Sequence, residues 1–157
     1  MAQWFENGYV VDDESARVDR DLVYGWLSTD AYWWSGGLER SVFERAVDNS
    51  LNFTALDGSG AVVGFARLVT DRATFAYLAD VYVAAEHRGR GVGNLLTRAS
   101  VEHPDVATCR RMMLATNDAH EVYARHGYTA LATPERFMER NRPAASAAGS
   151  EIDSVAG

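Results

Sequence analysis

Three successive runs rich in β-branched and aromatic residues occupy the middle of the chain and constrain its fold most strongly. They are "LNFTALD" at 51–57, "AVVGFARLVT" at 61–70 and "TFAYLADVYV" at 74–83. The turn signals "DGSG" and "TDRA" separate them. Strands joined by connections this short pair with their neighbours in antiparallel fashion, so the sequence predicts an antiparallel meander.

Helical periodicity lies on both sides of the meander. Before it, "NGYVVDD" predicts one strand, and residues 16–28 and 38–50 show the apolar spacing of two helices. After it, an amphipathic helix that Pro104 ends is predicted by apolar residues at i, i+3, i+4 and i+7: Val92, Leu95, Leu96 and Ala99.

The last ordered part of the sequence predicts a strand, a helix and two more strands. "RMMLAT" is the first strand, and Asp118 is a candidate cap for the helix that Gly127 ends. "YTAL" and "RFMER" are predicted as the final strands. The whole order predicts one mixed α/β (α+β) domain over residues 1–141, followed by a small, polar, disordered tail over 142–157.

Bulk properties exclude several classes of protein. The net charge of −7 argues against a nucleic-acid-binding protein, because phosphate binding needs an electropositive face. The sequence contains no run of 18 apolar residues, so no membrane span is predicted, and the N-terminus lacks the pattern of a signal peptide. Cys109 is the only cysteine, so it forms neither an intrachain disulfide nor a thiolate metal site by itself. We expect a cytoplasmic protein without a metal.

Alternating glycines connect the third β-rich run to the helix that follows it. Gly89, Gly91 and Gly93 alternate with other residues in "EHRGRGVGNLL", and Arg88 and Arg90 lie among them. Glycines between a strand and a helix allow backbone N–H groups to converge on one point at the positive end of the helix dipole. A phosphate or pyrophosphate is the usual ligand of such a loop.

Two familiar phosphate-binding motifs do not match this segment of the sequence. The dinucleotide fingerprint needs a third glycine where this chain has Asn94 or Leu96, and the ATP-type loop needs a lysine that is absent here. The remaining pattern, Arg88-x-x-Gly91-x-Gly93, resembles the acyl-CoA pyrophosphate loop of the GNAT superfamily of N-acetyltransferases. The strand order and "NDAHEVYARHGY" are also similar to that family, so the resemblance extends from about Gly8 to Arg140.

The resemblance implies a fold and an activity. The fold is a mixed, mostly antiparallel central sheet of six to seven strands flanked by about four helices. The activity is transfer of an acetyl group from acetyl-CoA to a primary amine, by direct attack in a ternary complex and without a metal. The alternative is a non-catalytic GNAT module that binds acyl-CoA as a sensor or assembly partner.

The resemblance also implies binding residues. Backbone amides of the loop would hold the pyrophosphate, and backbone groups of the preceding strand would bind the pantetheine arm. The residues concerned are Arg88, Gly89, Arg90, Gly91, Val92 and Gly93 in the loop, and Val81, Tyr82 and Val83 in the strand. Asn117 matches an asparagine that contacts pantetheine in relatives, although it could equally be a turn residue at a helix entry.

Tyr123 and Asp80 are the candidate catalytic residues. Tyr123 matches the tyrosine near the thioester sulfur, where a phenol would protonate the departing thiolate; its alternative is a core tyrosine. Asp80 is a candidate base, directly or through a water, and its alternative is a structural carboxylate bonded to loop amides. Strand alternation predicts that Asp80 shares a face with Leu78 and Tyr82.

Tyr32, Trp33 and Trp34 are candidates for the wall of the acceptor site, in a loop that commonly has this role in the family. They could equally fill the core. The acceptor would be a small-molecule or protein amine. Neither a nucleic acid nor a membrane is expected as a partner, and the fold leaves a homodimer open.

Overall fold

A computed structural model describes residues 1–29 and 37–142. In these ranges six strands form one sheet: β1 (Gln3–Glu6), β2 (Tyr9–Asp12), β3 (Leu51–Leu56), β4 (Val62–Thr70), β5 (Phe75–Val83) and β6 (Arg111–Met113). Its four α-helices are α1 (Arg20–Thr29), α2 (Arg40–Asp48), α3 (Val92–Glu102) and α4 (His120–Ala124). The strands lie side by side in chain order, and every neighbouring pair is antiparallel except β5 and β6, which are parallel. The predicted meander and fold class are confirmed.

The sheet is buried on both faces. One apolar cluster joins α3 to the strands and includes Leu95, Leu96 and Tyr123. A second cluster joins α1 and α2 to the other face, where Phe65 and Tyr82 are the strand residues. We call these the α3 face and the α1 face. Because both faces are covered, the middle strands carry few polar residues, and β3 is buried along its whole length.

A β-bulge in β5 changes which residues share a face. Arg67 of β4 pairs with Asp80, but the next residue, Leu68, pairs with Leu78, so Ala79 has no partner of its own in β4. Leu78 therefore lies on the α3 face with Leu68, whereas Tyr82 belongs to the cluster on the α1 face. The predicted grouping of Leu78 with Asp80 and Tyr82 is wrong, because an extra residue reverses the alternation.

The N-terminus begins with a hairpin rather than with a single strand. β1 and β2 are joined by Asn7 and Gly8, whose φ angles of 50° and 83° are those of a type I′ turn. The predicted strand is therefore the second half of this hairpin. The Asn-Gly pair in the sequence could have predicted this turn, because both residues tolerate positive φ.

The two final strands predicted at "YTAL" and "RFMER" are absent. Residues 128–142 form an irregular segment with one short 3-10 helix, Pro134–Arg136. Pro134 has no N–H to donate to a sheet and begins that helix instead. The segment returns to β6 through a side chain, since the Arg111 guanidinium lies 4.8 Å from the centroid of the Phe137 ring.

Candidate functional site

A wedge opens between β5 and β6. Their pairing covers only Phe75–Tyr77 against Arg111–Met113, and β5 then continues for six more residues while β6 has ended. Within the described ranges, Leu78–Val83 have a strand partner on the β4 side only. The backbone edge of β5 at Val81 and Tyr82 therefore borders the wedge.

The glycine loop lies at the open end of this wedge. A short 3-10 helix, Ala85–His87, follows β5, and Gly89 and Gly91 then adopt φ angles of 76° and 85° before α3 begins at Val92. These left-handed angles are the reason that the loop needs glycine. Among the described residues, the N–H groups from Gly89 to Asn94 have no acceptor, and the first bond of α3 is from the Leu95 N–H to the Gly91 carbonyl.

This loop has the geometry of an anion site. Successive free N–H groups around left-handed residues form a concave nest, and the positive end of the α3 dipole lies directly behind it. No carboxylate caps the N-terminus of α3, since Gly91 is its N-cap. The residues therefore fit a pyrophosphate, which would supply the missing acceptors.

The two arginines of the loop lie in different places. Arg88 donates from Nε to the Val83 carbonyl at 2.9 Å, and its guanidinium lies 5.4 Å from the centroid of the Tyr82 ring. That ring stacks in turn on Trp26 of α1, with 4.9 Å between centroids. Both arginines are exposed, but these contacts hold the Arg88 side chain against the end of β5, whereas the Arg90 side chain makes no such contact among the described residues.

The N-terminal hairpin supports the loop from outside. The Asn7 side-chain amide donates to the Arg90 carbonyl at 3.5 Å. A Cβ atom built on Gly91 would lie 3.3 Å from the same amide nitrogen, so even a small side chain would press on this contact. Asn7 was missed in the sequence because it is 83 residues from its partner.

Tyr123 lies on α4 within the cluster on the α3 face, which also contains Val81 and Val83. The residue is 5% exposed, and burial raises the pKa of its phenol well above the usual value of 10. Its ring meets the Tyr128 ring edge-on, with 6.1 Å between centroids. Tyr123 is therefore a protonated hydroxyl at neutral pH, which could donate a proton but not accept one.

Asn117 precedes α4 and is exposed. The predicted cap, Asp118, does not cap that helix: its N-cap is Ala119, which has no side-chain capping bond, and the Thr116 hydroxyl accepts from the Ala119 N–H at 3.1 Å just before it. Thr116 is two residues further from the helix than the predicted cap, Asp118. The Asn117 side chain has no hydrogen-bond partner within the described part of the chain, which leaves its amide available to a ligand.

Asp80 pairs with Arg67, which sequence reasoning missed. The Arg67 Nε lies 2.6 Å from Asp80 Oδ2, and Arg67 Nη1 donates to the Ser50 hydroxyl at 3.2 Å. Both residues are buried. The pairing of β4 with β5 could have indicated that Arg67 lies opposite an acidic residue. The bulge at Ala79 shifts that pairing by one residue, so regular alternation does not find it. Asp80 lies with Tyr82, away from the face that contains Tyr123.

The remaining predictions concern other parts of the chain. Tyr32, Trp33 and Trp34 lie outside the described residues. Within residues 1–29 and 37–142, no group of three or more His, Cys, Asp and Glu side chains is arranged to hold a metal ion. None of the helices described in these ranges is long and apolar enough to span a membrane.

Comparison with known proteins agrees with this architecture. The sequence model of the acetyltransferase (GNAT) family matches residues 19–128. A Gibberella zeae protein classed as an acetyltransferase is 30% identical over 144 residues, which cover 78% of this chain and 80% of the relative.

Solved structures show the same fold. A GNAT-family protein from Xanthomonas campestris pv. campestris, classed as an acetyltransferase, has 41% identity and a TM-score of 0.82 over 89% of this chain and 97% of its own. Rv2747 of Mycobacterium tuberculosis, solved in complex with CoA, has 20% identity and a TM-score of 0.63 over 77% of this chain and 72% of its own. With the family model covering residues 19–128, the chain belongs to the GNAT acetyltransferase family.

Proposed function

We propose that this protein transfers the acetyl group of acetyl-CoA to a primary amine by direct attack in a ternary complex. The observation that carries the proposal is the wedge between β5 and β6, which ends at a loop of unpartnered N–H groups. The loop would bind the pyrophosphate, and the edge of β5 would bind the pantetheine arm through backbone groups. Because β5 has no partner there, its amides can bind an extended ligand as a neighbouring strand would.

The chemistry requires one bond to form and one to break. The amine nitrogen attacks the thioester carbonyl carbon, the C–S bond breaks, and the CoA sulfur leaves as a thiolate. The new amide nitrogen loses one proton, and the sulfur gains one. We assign the second transfer to the Tyr123 hydroxyl, which is protonated at neutral pH and could donate to the leaving sulfur.

The proton that leaves the attacking amine needs a separate acceptor. Asp80 remains a candidate base, but its short bond to Arg67 and its burial favour the structural role. We therefore assign Asp80 to shaping β5, and a water to accepting the amine proton.

The acceptor would approach from the α1 face, where Trp26 stacks on Tyr82. Tyr32, Trp33 and Trp34 follow α1 in sequence and remain candidates for the wall of this site. The acceptor class stays a primary amine of a small molecule or a protein. A cytoplasmic location is part of the same proposal.

The test is a transfer assay with pooled amines. Acetyl-CoA and the protein are incubated with the pool, and mass spectrometry detects any amine that gains one acetyl group, while free thiol release gives the rate. We expect an acetylated amine with stoichiometric thiol. CoA binding without transfer to any member of a broad pool would favour the alternative, a non-catalytic acyl-CoA-binding module.

A further inference from the structure

One hydrogen bond joins the end of α4, the helix of Tyr123, to the helix that follows the glycine loop. His126 Nε2, just after α4, lies 2.7 Å from the side-chain oxygen Oδ1 of Asn94 in the first turn of α3. Within the described part of the chain, every other hydrogen bond of residues 119–128 is made inside that segment or to Thr116 just before it. The polar connection between α4 and the rest of the fold therefore depends on this contact.

The surroundings of Asn94 assign the donor in this contact. The Asn94 side-chain nitrogen lies 3.4 Å from Oε2 of Glu6 in β1, and a carboxylate accepts hydrogen bonds but does not donate them. The amide nitrogen therefore points to Glu6, which leaves the amide oxygen towards His126. Because an amide oxygen only accepts, His126 donates from Nε2, and it does so whether its ring is neutral or charged.

Apolar packing alone fixes the orientation of α4 weakly. The helix has five residues, and Tyr123 is the one that it buries. A helix this short has little stability by itself. Apolar contacts are non-directional, whereas a hydrogen bond specifies both a distance and an angle. The bond from His126 to Asn94 is therefore the contact that sets the direction of α4.

We propose that His126 and Asn94 are positioning residues, which hold the Tyr123 hydroxyl in place relative to the glycine loop. The inference rests on the proposed function, because it requires Tyr123 to act on a thioester whose pyrophosphate lies on that loop. Asn94 contributes to both parts: its backbone N–H is one of the loop groups without an acceptor in the described ranges, and its side chain binds His126. The His126 N–H in turn donates to the Tyr123 carbonyl at 2.9 Å. A displacement of about 1 Å can lower a rate by about 100-fold, so loss of the bond should affect turnover rather than CoA binding.

The experiment compares two amides at position 126 in the full chain. The side-chain nitrogen of glutamine lies about as far from the backbone as Nε2 of histidine, whereas that of asparagine falls short of it. His126→Asn should lower kcat for transfer to an identified amine by about 10–100-fold, with the Kd for CoA within about 2-fold of wild type. His126→Gln should keep kcat within about 3-fold of wild type, because its N–H reaches Asn94.

Arg98→Met is the matched control. Arg98 lies on α3, one turn after Asn94, and donates to the Phe5 carbonyl at 3.2 Å, so the variant removes a bond that does not lead to α4. It should leave kcat unchanged. Urea denaturation of each variant verifies that the fold is retained, and it separates a loss of stability from a loss of turnover.

A second comparison tests whether the bond acts through the phenol. In a Tyr123→Phe background, His126→Asn should lower kcat no further, because the hydroxyl that it positions is gone. The inference is overturned by wild-type kcat in folded His126→Asn, by an equal loss in His126→Gln, or by the same loss with and without the Tyr123 hydroxyl. Each of these results leaves the proposed function intact. Failure of the wild-type protein to acetylate any amine would instead overturn the proposed function.

Discussion

Arg67 and Asp80 face each other directly across β4 and β5, with the guanidinium Nε 2.6 Å from the carboxylate Oδ2. Their side chains are 10% and 1% exposed. A buried pair of this kind depends on both partners, because either charge alone is strongly disfavoured away from water. The pair therefore connects the stability of the sheet to the question of whether Asp80 takes part in catalysis.

Arg67→Met should lower the free energy of unfolding by about 3–5 kcal/mol, because it removes the guanidinium that compensates the buried Asp80 carboxylate. Urea denaturation at pH 7 measures the loss. Arg67→Met/Asp80→Leu removes both charges and should recover most of the stability. This folded double variant should also retain acetyl transfer to an identified amine; a loss of 100-fold or more with CoA binding intact would identify Asp80 as the base.

Gly91→Val should abolish CoA binding. The φ of 85° is strained for any residue with a Cβ, and the side chain would press on Asn7 and crowd the anion site. Gly60→Val is the matched control, since Gly60 also has a φ of 85° but lies in the β3–β4 turn with open space around it. Titration with CoA should show binding by the folded control alone. Retained affinity in folded Gly91→Val would show that the loop has another role.

Tyr123→Phe should lower the transfer rate by about 10²–10⁴, the range typical of general acid catalysis, with CoA affinity nearly unchanged. Tyr128→Phe provides a control on the neighbouring ring. The Tyr128 hydroxyl is buried without a partner within the described residues, and burial raises its pKa to about 12. Removing it should leave the rate unchanged and stabilise the fold by about 1 kcal/mol. If Tyr123→Phe transfers acetyl at the wild-type rate, Tyr123 is a core residue.

Asp13→Asn should show a pH-dependent loss of stability. His103 Nε2 lies 2.7 Å from Asp13 Oδ2, and the Ala2 N–H also donates to this carboxylate. Burial opposes ionisation of Asp13, but these hydrogen bonds outweigh it and hold the pKa of the carboxyl below its usual 3.8. A lowered pKa contributes stability above the unfolded value, and this stability is lost as the pH falls through the folded one.

The variant should therefore be less stable than the wild type by about 1–3 kcal/mol at pH 7. The difference should shrink as the pH falls below about 4, where the wild-type carboxyl also becomes protonated. Urea denaturation at pH 7, 5 and 3 checks this course. A difference that stays constant over this range would mean that Asp13 acts through packing rather than charge.

Local signals allowed the sequence to predict the meander and the glycine loop. Each depends on residue types and turn signals that lie close together in the chain. The Arg67–Asp80 pair was missed because the bulge at Ala79 shifts the register by one residue, and the Asn7 contact with Arg90 was missed because 83 residues separate the two. The irregular segment after α4 was misjudged because its short apolar alternation resembles a strand, whereas Pro134 begins a 3-10 helix.

The bulge at Ala79 makes the length of β5 as important as its composition. Residues before and after it are out of phase by one position, so Leu78 and Val81 can both face α3 while Asp80 meets Arg67 on the other side. Loss of one residue between Leu78 and the glycine loop would exchange the two faces from there onward. Acidic and aromatic side chains would then enter the layer under α3. The number of residues in this part of β5 therefore fixes which side chains meet α3.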